Sequence, residues 1–337
     1  MQQVVLKSAI AHKPRADDFV LIDAAIPACP VGGVLVRIVH LSLDPYIGSR
    51  LRGRHMGEEP PQPGQDAVPG AIVGQVLESR TPQLAPGDWV QSMEGGWQEI
   101  LAIAGGSVRK INPNSAPLSA HAGVLGMPGL TAWAGITQLA KVGPGDTVLV
   151  DAAAGPVGGT VGQIARIKGA KRVVGIAGGP DKCRLATDEY GFDACIDYKQ
   201  DCWQEALGAA LPDGLSIFFE NVSADMAMIA LGHANIYARG VLCGLVGAYH
   251  TDSPSQHALN AGLIIGKRAQ LSGLVVYDFY PRWDEYVTEA SSWIADGRLK
   301  FAEDRAVGLK NAPALFERLM DGMNQGKAVV SVAQEII

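Results

Sequence analysis

The hydrophobic positions of residues 1–120 fall into short runs that are typical of strands. The segments VLVRIVHLSL (34–43) and AIVGQVLES (71–79) are rich in β-branched residues, and PGDWVQS (86–92) leads from a turn signal into a strand. Between the first two lies a stretch rich in proline and glycine, 60–70. We therefore predict a small, turn-rich β domain over residues 1–120.

From residue 121 onward, short apolar runs alternate with helical segments. Runs without polar alternation are typical of strands buried on both faces, and strand–helix alternation predicts an α/β fold with a doubly wound parallel sheet. The predicted α/β domain covers 121–301, and we expect 302–337 to return and complete the β domain of 1–120. The predicted strands are TVLVDA (147–152), RVVGIAG (172–178), ACIDY (194–198), LSIFFEN (215–221), GVLCGLVG (240–247), QLSGLVVYDF (270–279), VGL (307–309) and KAVVSV (327–332), and the predicted helices cover 157–169, 182–190, 224–234 and 282–295.

Length, composition and charge narrow the class of protein. A chain of 337 residues with 47% hydrophobic content fits two domains. The net charge is −6 and no long Lys/Arg cluster occurs, so nucleic acid is not an expected partner. The densest basic stretch, Arg50–Arg54, is interpreted as a solvated loop, with an anion-facing loop near the active site as the alternative.

The cysteines and the lengths of the apolar runs indicate the cellular compartment in which the protein is expected. Five cysteines, an odd number without C-x-x-C spacing, indicate free thiols in a reducing environment. The N-terminus does not have the pattern of a signal peptide, and no uncharged apolar run reaches the ~20 residues that span a bilayer. We expect a soluble, cytoplasmic protein that does not bind membranes.

A glycine-rich turn follows the first strand of the alternating half. In AAGPVG (153–158), Ala153 stands where the G-x-G-x-x-G pattern has its first glycine, and Gly155 and Gly158 hold the second and third positions. Such a turn lets a pyrophosphate approach the backbone at a helix N-terminus. Its place between a strand and a helix favours a dinucleotide site over an ordinary glycine-rich turn.

The end of the second strand indicates which nicotinamide cofactor binds. An NAD site usually has an acidic residue about 20 residues past the glycine turn, whereas here the strand ends at Gly178 and Gly179. The small residue leaves room for a 2′-phosphate, which Lys182 can bind. Asp181 is interpreted as a helix N-cap or first-turn acid. The sequence favours NADPH over NADH, with a solvated surface lysine as the alternative role of Lys182.

Metal ligands do not cluster along the sequence. Many two-domain dehydrogenases with a β domain first and a nucleotide domain second are zinc enzymes. None of the seven histidines here belongs to a G-H-E or H-x-x-x-H pattern, and the segment where such enzymes would have G-H-E reads Pro69-Gly70-Ala71. No metal site is predicted. A nucleophile elbow and a Cys/His pairing are also missing, which argues against a hydrolase.

Eight segments resemble the zinc-lacking branch of the medium-chain dehydrogenase/reductases, which includes prostaglandin reductases, bacterial curcumin reductase and plant alkenal double-bond reductases. They follow the family's order over nearly the whole chain. The resemblance implies a Rossmann doubly wound parallel sheet plus a smaller β-rich, GroES-like domain. The segments are LSLDPYIGSRLRG (41–53), GMPGLTAWAGI (126–136), DAAAGPVGGTVGQIARIKG (151–169), VVGIAGGPDK (173–182), FFENV (218–222), VLCGLVGAYH (241–250), IIGKRAQLSG (264–273) and GMNQGKAVV (322–330).

The resemblance also implies site residues. Lys182 would meet the 2′-phosphate beside Tyr198, Asn221 would line the ribose and nicotinamide, and Asn324 would reach the nicotinamide end from the returning tail. Met127, Trp133 and Tyr277 are candidates for the substrate wall, although a core role is the favoured interpretation of each. The expected cofactor-binding residues are Ala154, Gly155, Pro156, Val157, Gly158, Gly178, Lys182, Tyr198, Asn221, Cys243, Gly244, Leu245, Val246, Tyr249, Leu274, Val275, Val276 and Asn324.

The reaction that the resemblance implies adds hydride to the β-carbon of an enone or enal. The carbonyl oxygen then needs a hydrogen-bond donor and the α-carbon a proton. Tyr249 is the first candidate for this role, alone or with the ribose 2′-hydroxyl, and Tyr46 is the second, because a phenol donates while uncharged. The alternatives are packing on the nicotinamide for Tyr249 and anchoring a turn for Tyr46. Asp44 is interpreted as structural.

The expected function is therefore NADPH-dependent reduction of the C=C bond of α,β-unsaturated ketones or aldehydes. A quinone reductase of the same superfamily and a non-catalytic NADPH-binding protein are the alternatives, and a zinc alcohol dehydrogenase is more distant. The expected partner is a small molecule. The resemblance further suggests a homodimer, in which the run 270–276 pairs across a two-fold axis.

Overall fold

The computed structural model describes residues 1–247 and 259–335. The chain divides into two compact units. Unit 1 comprises residues 1–123 and 303–335, and unit 2 comprises 124–247 and 259–302. Unit 1 is therefore assembled from two stretches that are far apart in the sequence.

The elements alternate along unit 2 and are mostly strands in unit 1. The strands are β1 (Gln2–Leu6), β2 (Phe19–Asp23), β3 (Gly33–Ser42), β4 (Ile72–Ser79), β5 (Trp89–Ser92), β6 (Ile100–Ala104), β7 (Arg109–Lys110), β8 (Thr147–Val150), β9 (Arg172–Ala177), β10 (Ala194–Asp197), β11 (Leu215–Glu220), β12 (Ala234–Leu242), β13 (Gln270–Gly273), β14 (Glu303–Val307) and β15 (Lys327–Ser331). The α-helices are α1 (Tyr46–Arg50), α2 (Met127–Trp133), α3 (Pro156–Ile167), α4 (Pro180–Arg184), α5 (Trp203–Ala210), α6 (Ala224–Gly232), α7 (Ala261–Lys267), α8 (Trp283–Ala295) and α9 (Ala312–Met320). Among the described residues, none of the helices combines the length and the apolar character that crossing a membrane requires.

Unit 1 is built around a seven-stranded sheet in the order β14, β15, β3, β4, β5, β7, with β6 also paired to β3. Strand β3 is buried along almost its whole length because β4, β6 and β15 all pair with it. An aromatic cluster fills the core: the rings of Phe19 and Trp97 stack at 5.3 Å, and Phe316 of α9 meets Trp97 edge-on at 5.3 Å. The sheet thus needs both separated stretches of chain.

Unit 2 contains a six-stranded sheet in the order β10, β9, β8, β11, β12, β13, in which every pair is parallel. Numbered within the unit, this is the order 3-2-1-4-5-6 of a doubly wound dinucleotide-binding sheet. The chain moves outward from β8 to β10 and then returns to place β11 on the other side of β8. The carboxyl ends of β8 and β11 therefore mark the switch point, where such folds bind their ligands.

Three strands differ by more than two residues from the bounds that the sequence predicted. Strand β14 covers Glu303–Val307, whereas the predicted strand was 307–309, and a 3-10 helix begins at Leu309 instead. Strand β12 begins at Ala234 rather than at 240, and its register with β11 shifts between Leu215 and Ile217. The strand predicted over 270–279 ends at Gly273, and a 3-10 helix covers Val276–Arg282 instead. Strand β13 ends at Gly273 because its neighbour β12 ends at Leu242, so the residues after Gly273 have no strand to pair with.

Candidate active site

The glycine turn after β8 brings the first turn of α3 close to the end of the sheet. Ala152 adopts a left-handed conformation, with φ of 46°, and its carbonyl accepts a hydrogen bond from Gly155 N at 2.8 Å. A Cβ on Gly158 would lie 2.4 Å from Ala152 O and 2.7 Å from Asp151 O, so only glycine fits there. The backbone N–H groups that open a helix have no intrahelical acceptor. At α3 those of Val157 and Gly158 can therefore receive an anion.

The ends of β9 and β10 hold a cluster of basic and phenolic groups. A Cβ on Gly178, just past β9, would lie 2.9 Å from the Tyr198 ring and 3.1 Å from Lys199 Cε. Lys182 is half-buried on α4, and burial together with the nearby charge of Lys199 lowers its pKa. Glycine therefore fits best at position 178, and Lys199 and Lys182 bring positive charge to this end of the sheet, which suits a phosphate group.

Lys199 is a residue that the sequence analysis missed. It directly follows Tyr198 at the end of β10, which pairs in parallel with β9. Since parallel neighbours bring their carboxyl ends to the same edge of a sheet, a lysine at this point lies beside the end of β9. The sequence therefore contained the information needed to predict Lys199, because it directly follows the strand predicted over 194–198.

The two acidic residues near this cluster are engaged elsewhere. Asp197 Oδ1 accepts hydrogen bonds from Gly179 N at 2.8 Å and Lys199 N at 3.0 Å, which lower the pKa of its carboxyl. Asp181 lies in the first turn of α4 and forms an ion pair with Arg184. Asp197 therefore reaches the end of β9, but from β10 and with Oδ1 occupied by backbone donors. The chain position that directly follows β9, where an NAD site usually has its acidic residue, is Gly178.

Asn221 lies at the switch point, directly after β11. Its backbone N donates to Asp151 Oδ1 at 2.7 Å, and its Nδ2 donates to Asp151 Oδ1 at 3.1 Å and to Asp151 O at 3.2 Å. These bonds use the nitrogen end of the Asn221 amide and turn its oxygen away from Asp151. An amide oxygen in this orientation accepts hydrogen bonds from hydroxyl or amide donors.

The segment 243–246 forms a loop that is held to the end of β11. Cys243 N and Gly244 N donate to Glu220 O at 2.9 and 3.3 Å, and Val246 N donates to Asn221 O at 3.1 Å. Burial, followed by the nearby carboxyl groups of Asp151 and Glu220, raises the pKa of the Cys243 thiol to about 12. The thiol is therefore protonated at neutral pH. Leu245 is exposed.

The segment after β13 presents both buried and exposed apolar groups. Leu274 is buried, and its N donates to Leu242 O at 2.9 Å. Val275 and Tyr277 are exposed to 38% and 40%, and Val276 begins the 3-10 helix. Such partly exposed side chains are suited to contact with a ligand.

The substrate-wall candidates on α2 differ in exposure. Met127 is half-buried at the start of the helix, and its carbonyl accepts from Thr131 Oγ1 at 2.8 Å. Trp133 is only 1% exposed, with the Arg282 guanidinium 4.8 Å from its ring centroid and the Tyr286 ring at 6.0 Å. The position of Trp133 fits the core role that the sequence analysis favoured for it.

In unit 1, Tyr46 begins α1, is half-buried, and has its ring 4.9 Å from that of His55. The turn before it is fixed by buried Asp44, which accepts from Lys327 Nζ at 3.0 Å and from Ser42 Oγ at 2.5 Å. Asp44 therefore has the structural place that was expected of it.

The remaining two candidates are Asn324 and Tyr249. Asn324 is buried, and its Nδ2 donates to Gly326 O at 2.8 Å. Tyr249 lies outside the described residues, so its role stays a prediction. Within residues 1–247 and 259–335, no group of three or more His, Cys, Asp or Glu side chains is arranged to hold a metal ion.

Comparison with known proteins identifies the family. Residues 2–111 match the family described as the N-terminal domain of oxidoreductase, and residues 156–295 match the one described as zinc-binding dehydrogenase. The NADPH-dependent curcumin reductase of Escherichia coli is 38% identical over 98% of this chain and 96% of its own length. The chain belongs to the zinc-independent branch of the medium-chain dehydrogenase/reductases.

Two further matches support this assignment to the medium-chain dehydrogenase/reductases. The 2-alkenal reductase (NADP(+)-dependent) of Nicotiana tabacum is 36% identical over 99% of this chain and 98% of its own. The crystal structure of CurA in complex with NADPH, from Vibrio vulnificus, superposes with a TM-score of 0.91 at 36% identity, covering 99% of this chain and 100% of that one. The predicted fold class and the predicted family are both confirmed.

Proposed function

We propose that this reductase catalyses the NADPH-dependent reduction of the C=C bond of α,β-unsaturated ketones or aldehydes. The observation that carries the proposal is similarity over nearly the full length, at 38% and 36% identity, to relatives named curcumin reductase and 2-alkenal reductase. Enzymes with these names act on carbonyl compounds of one chemical class. A common scaffold and a common class of substrate are the simplest account of that similarity.

The side chains and backbone of unit 2 fit NADPH in two places. The glycine turn presents the N–H groups of Val157 and Gly158 to a pyrophosphate at the N-terminus of α3. Lys199 lies beside Gly178 and its charge acts on Lys182, so two cations are available to a 2′-phosphate near the end of β9. NADPH supplies the hydride when it is bound. Asn221 would offer its amide oxygen to the ribose or nicotinamide end.

The remaining chemistry falls to proton donors of the chain. Negative charge that develops on the substrate carbonyl oxygen is stabilised by a fixed hydrogen-bond donor, and the α-carbon then takes a proton. Tyr249 is the first candidate and Tyr46 the second. Tyr46 is held in place by the start of α1 and by contact with His55. We expect the reaction to need no metal ion, so chelation should leave the rate unchanged.

The decisive experiment is a panel of enones, enals and quinones with NADPH that carries deuterium at the transferred position. We expect the label at the β-carbon, an intact carbonyl, and an α-proton from solvent. Label at the carbonyl carbon would identify a carbonyl reductase. Oxidation of NADPH with quinones alone would identify a quinone reductase, and binding without turnover would identify a non-catalytic protein.

We also infer a homodimer in the cytoplasm. Strand β13 is the outermost strand of the unit 2 sheet, so its outer edge is suited to pairing with a second copy across a two-fold axis. The five cysteines are free thiols, which suits a reducing compartment. Sedimentation of the purified protein tests the first inference, and cell fractionation tests the second.

A further inference from the structure

Two carboxyl groups meet in the interior of unit 2 at the switch point. Asp151 follows β8 and Glu220 ends β11, and both residues are only 3% exposed. They directly follow Val150 and Phe219, which are paired in register on these adjacent parallel strands, and each carboxyl group shifts the pKa of the other. Taking two charges out of water side by side is costly, because neither ion is compensated. A proton between them removes one charge and makes the contact attractive.

The hydrogen bonds around the pair occupy one oxygen of each carboxyl group and leave the other free to share that proton. Asp151 Oδ1 accepts from the backbone N and the Nδ2 of Asn221. Glu220 Oε1 accepts from Val222 N and Ser223 N, both at 2.7 Å. Asp151 Oδ2 is buried and, among the described residues, has no donor. A proton shared with Glu220 supplies the donor that is missing.

Among residues 1–247 and 259–335, the groups that act most strongly on the pair do not supply a positive charge. Burial raises the pKa of both carboxyl groups, and each group also acts on the other. The neighbouring titratable group from the segment after β12 is the Cys243 thiol, which is neutral at pH 7. The other groups with a strong effect on the pair, within the part of the chain that the structure describes, are backbone N–H groups and the Asn221 amide.

The pair connects the segments that the proposed function assigns to the cofactor. Asp151 opens the glycine turn and fixes Asn221 through three hydrogen bonds. The carbonyl of Glu220 accepts from the N–H groups of Cys243 and Gly244. The Asp151 carboxyl group holds the Asn221 amide, and the Glu220 carboxyl group holds the backbone at 222–223. Separation of the two groups would therefore displace the strand ends that carry the glycine turn and the 243–246 loop.

We propose that Asp151 and Glu220 share one proton and that this singly protonated pair positions the cofactor-binding segments of the switch point. The inference rests on the proposed function, since it takes these segments to be the NADPH site. Asp151 and Glu220 are positioning residues, because they act through Asn221 and the 243–246 loop. Loss of the shared proton would place two like charges in contact and push β8 and β11 apart at their ends.

The test compares the wild-type protein with Asp151→Asn and Glu220→Gln. Each amide keeps an oxygen for the backbone donors and supplies an N–H to the remaining carboxylate, so neither variant has a proton to share. The dissociation constants of NADPH and NADH are measured by fluorescence from neutral pH to about pH 10.5. For the wild type we expect both constants to rise at alkaline pH, with a slope that approaches about tenfold per pH unit once the proton is lost.

In both amide variants we expect this rise to disappear. Ionisation of Lys182 should affect the binding of NADPH but not of NADH, so the NADH profiles are free of its effect. It also occurs in all three proteins, so the difference between variants and wild type reports the effect of the carboxyl pair alone. Burial raises the pKa of the neighbouring Cys243 thiol to about 12, so its ionisation lies above the measured pH range. Profiles that are identical in wild type and both amide variants would overturn the proposal.

Infrared spectroscopy of the proteins without cofactor tests the proton directly. A protonated carboxyl C=O band should be present in the wild type at neutral pH, should shift in D₂O, and should be missing from both amide variants. Its absence from the wild type overturns the shared proton even if an amide variant fails to fold. Failure of every protein to bind NADPH, with the band present, would instead overturn the proposed function and with it the positioning role.

Discussion

Replacement of Lys182 by alanine tests the origin of the cofactor preference. Lys182 is half-buried and lies near Lys199, so its ammonium group is partly shielded from solvent. A hydrogen bond between a charged donor and a phosphate in such a place contributes about 1.5–3 kcal/mol. We therefore expect Lys182→Ala to raise the dissociation constant of NADPH roughly 10- to 160-fold. The constant for NADH, which has no 2′-phosphate, should change little.

The assay is a fluorescence titration of both cofactors against wild type, Lys182→Ala and a charge-matched control. Lys171→Ala is suitable as the control, because Lys171 is exposed and pairs with Asp213. It removes one positive charge and should leave both dissociation constants unchanged. Lys199→Ala should also weaken NADPH selectively if both lysines contact the phosphate. Equal weakening of NADPH and NADH by Lys182→Ala would refute the assignment of the phosphate site.

The pH dependence of the selectivity gives a second test of Lys182. Burial and the charge of Lys199 lower the pKa of Lys182, so it loses its proton at a lower pH than an ordinary lysine. Phosphate binding needs the protonated form. The preference for NADPH, expressed as the ratio of the two dissociation constants, should therefore be complete below this pKa and decline as the pH rises through it. A ratio that is constant into the alkaline range would contradict the role of Lys182.

Three further predictions address catalysis and stability. Tyr249→Phe should lower kcat roughly 30- to 1000-fold with nearly unchanged NADPH affinity; full turnover in steady-state kinetics would leave the proton to another group. Gly158→Ala places a Cβ 2.4 Å from a carbonyl oxygen, so it should abolish NADPH binding and lower the melting temperature, whereas Gly143→Ala, where nothing lies within 4 Å, should do neither. Lys327→Met leaves the buried carboxylate of Asp44 without its cation and should cost about 3–5 kcal/mol in denaturant unfolding. Most of that loss should return when Asp44→Asn is added.

Hydrophobic patterning predicted much of the fold because buried parallel strands leave short apolar runs in the sequence. The runs at 147–152, 172–178 and 215–221 correspond to β8, β9 and β11, with ends that differ by one or two residues. The prediction was less accurate for β12 and β13. Their bounds depend on which neighbouring strand is still present to pair with, and that is not encoded in the local pattern.

The same distinction holds for the candidate site. The glycine turn and Lys182 were visible because each depends on residues that are close together in the sequence. The contact between Asp151 and Glu220 was not, since 69 positions separate two carboxylates that each look like an ordinary strand end. Lys199 was missed for a related reason. That it lies close to Lys182 becomes apparent only when β9 and β10 are placed side by side.

The discontinuous make-up of unit 1 has a consequence for how the protein is synthesised. Strand β15 lies between β14 and β3, so the sheet of unit 1 cannot close until residues 303–335 have left the ribosome. Unit 2 is complete before that point, and domains generally fold as units during translation. The nascent chain must therefore carry the exposed edge of β3, with its apolar surroundings, while unit 2 is being made. A chaperone that covers this edge, or slow translation after residue 302, would therefore be expected to change the yield of folded protein.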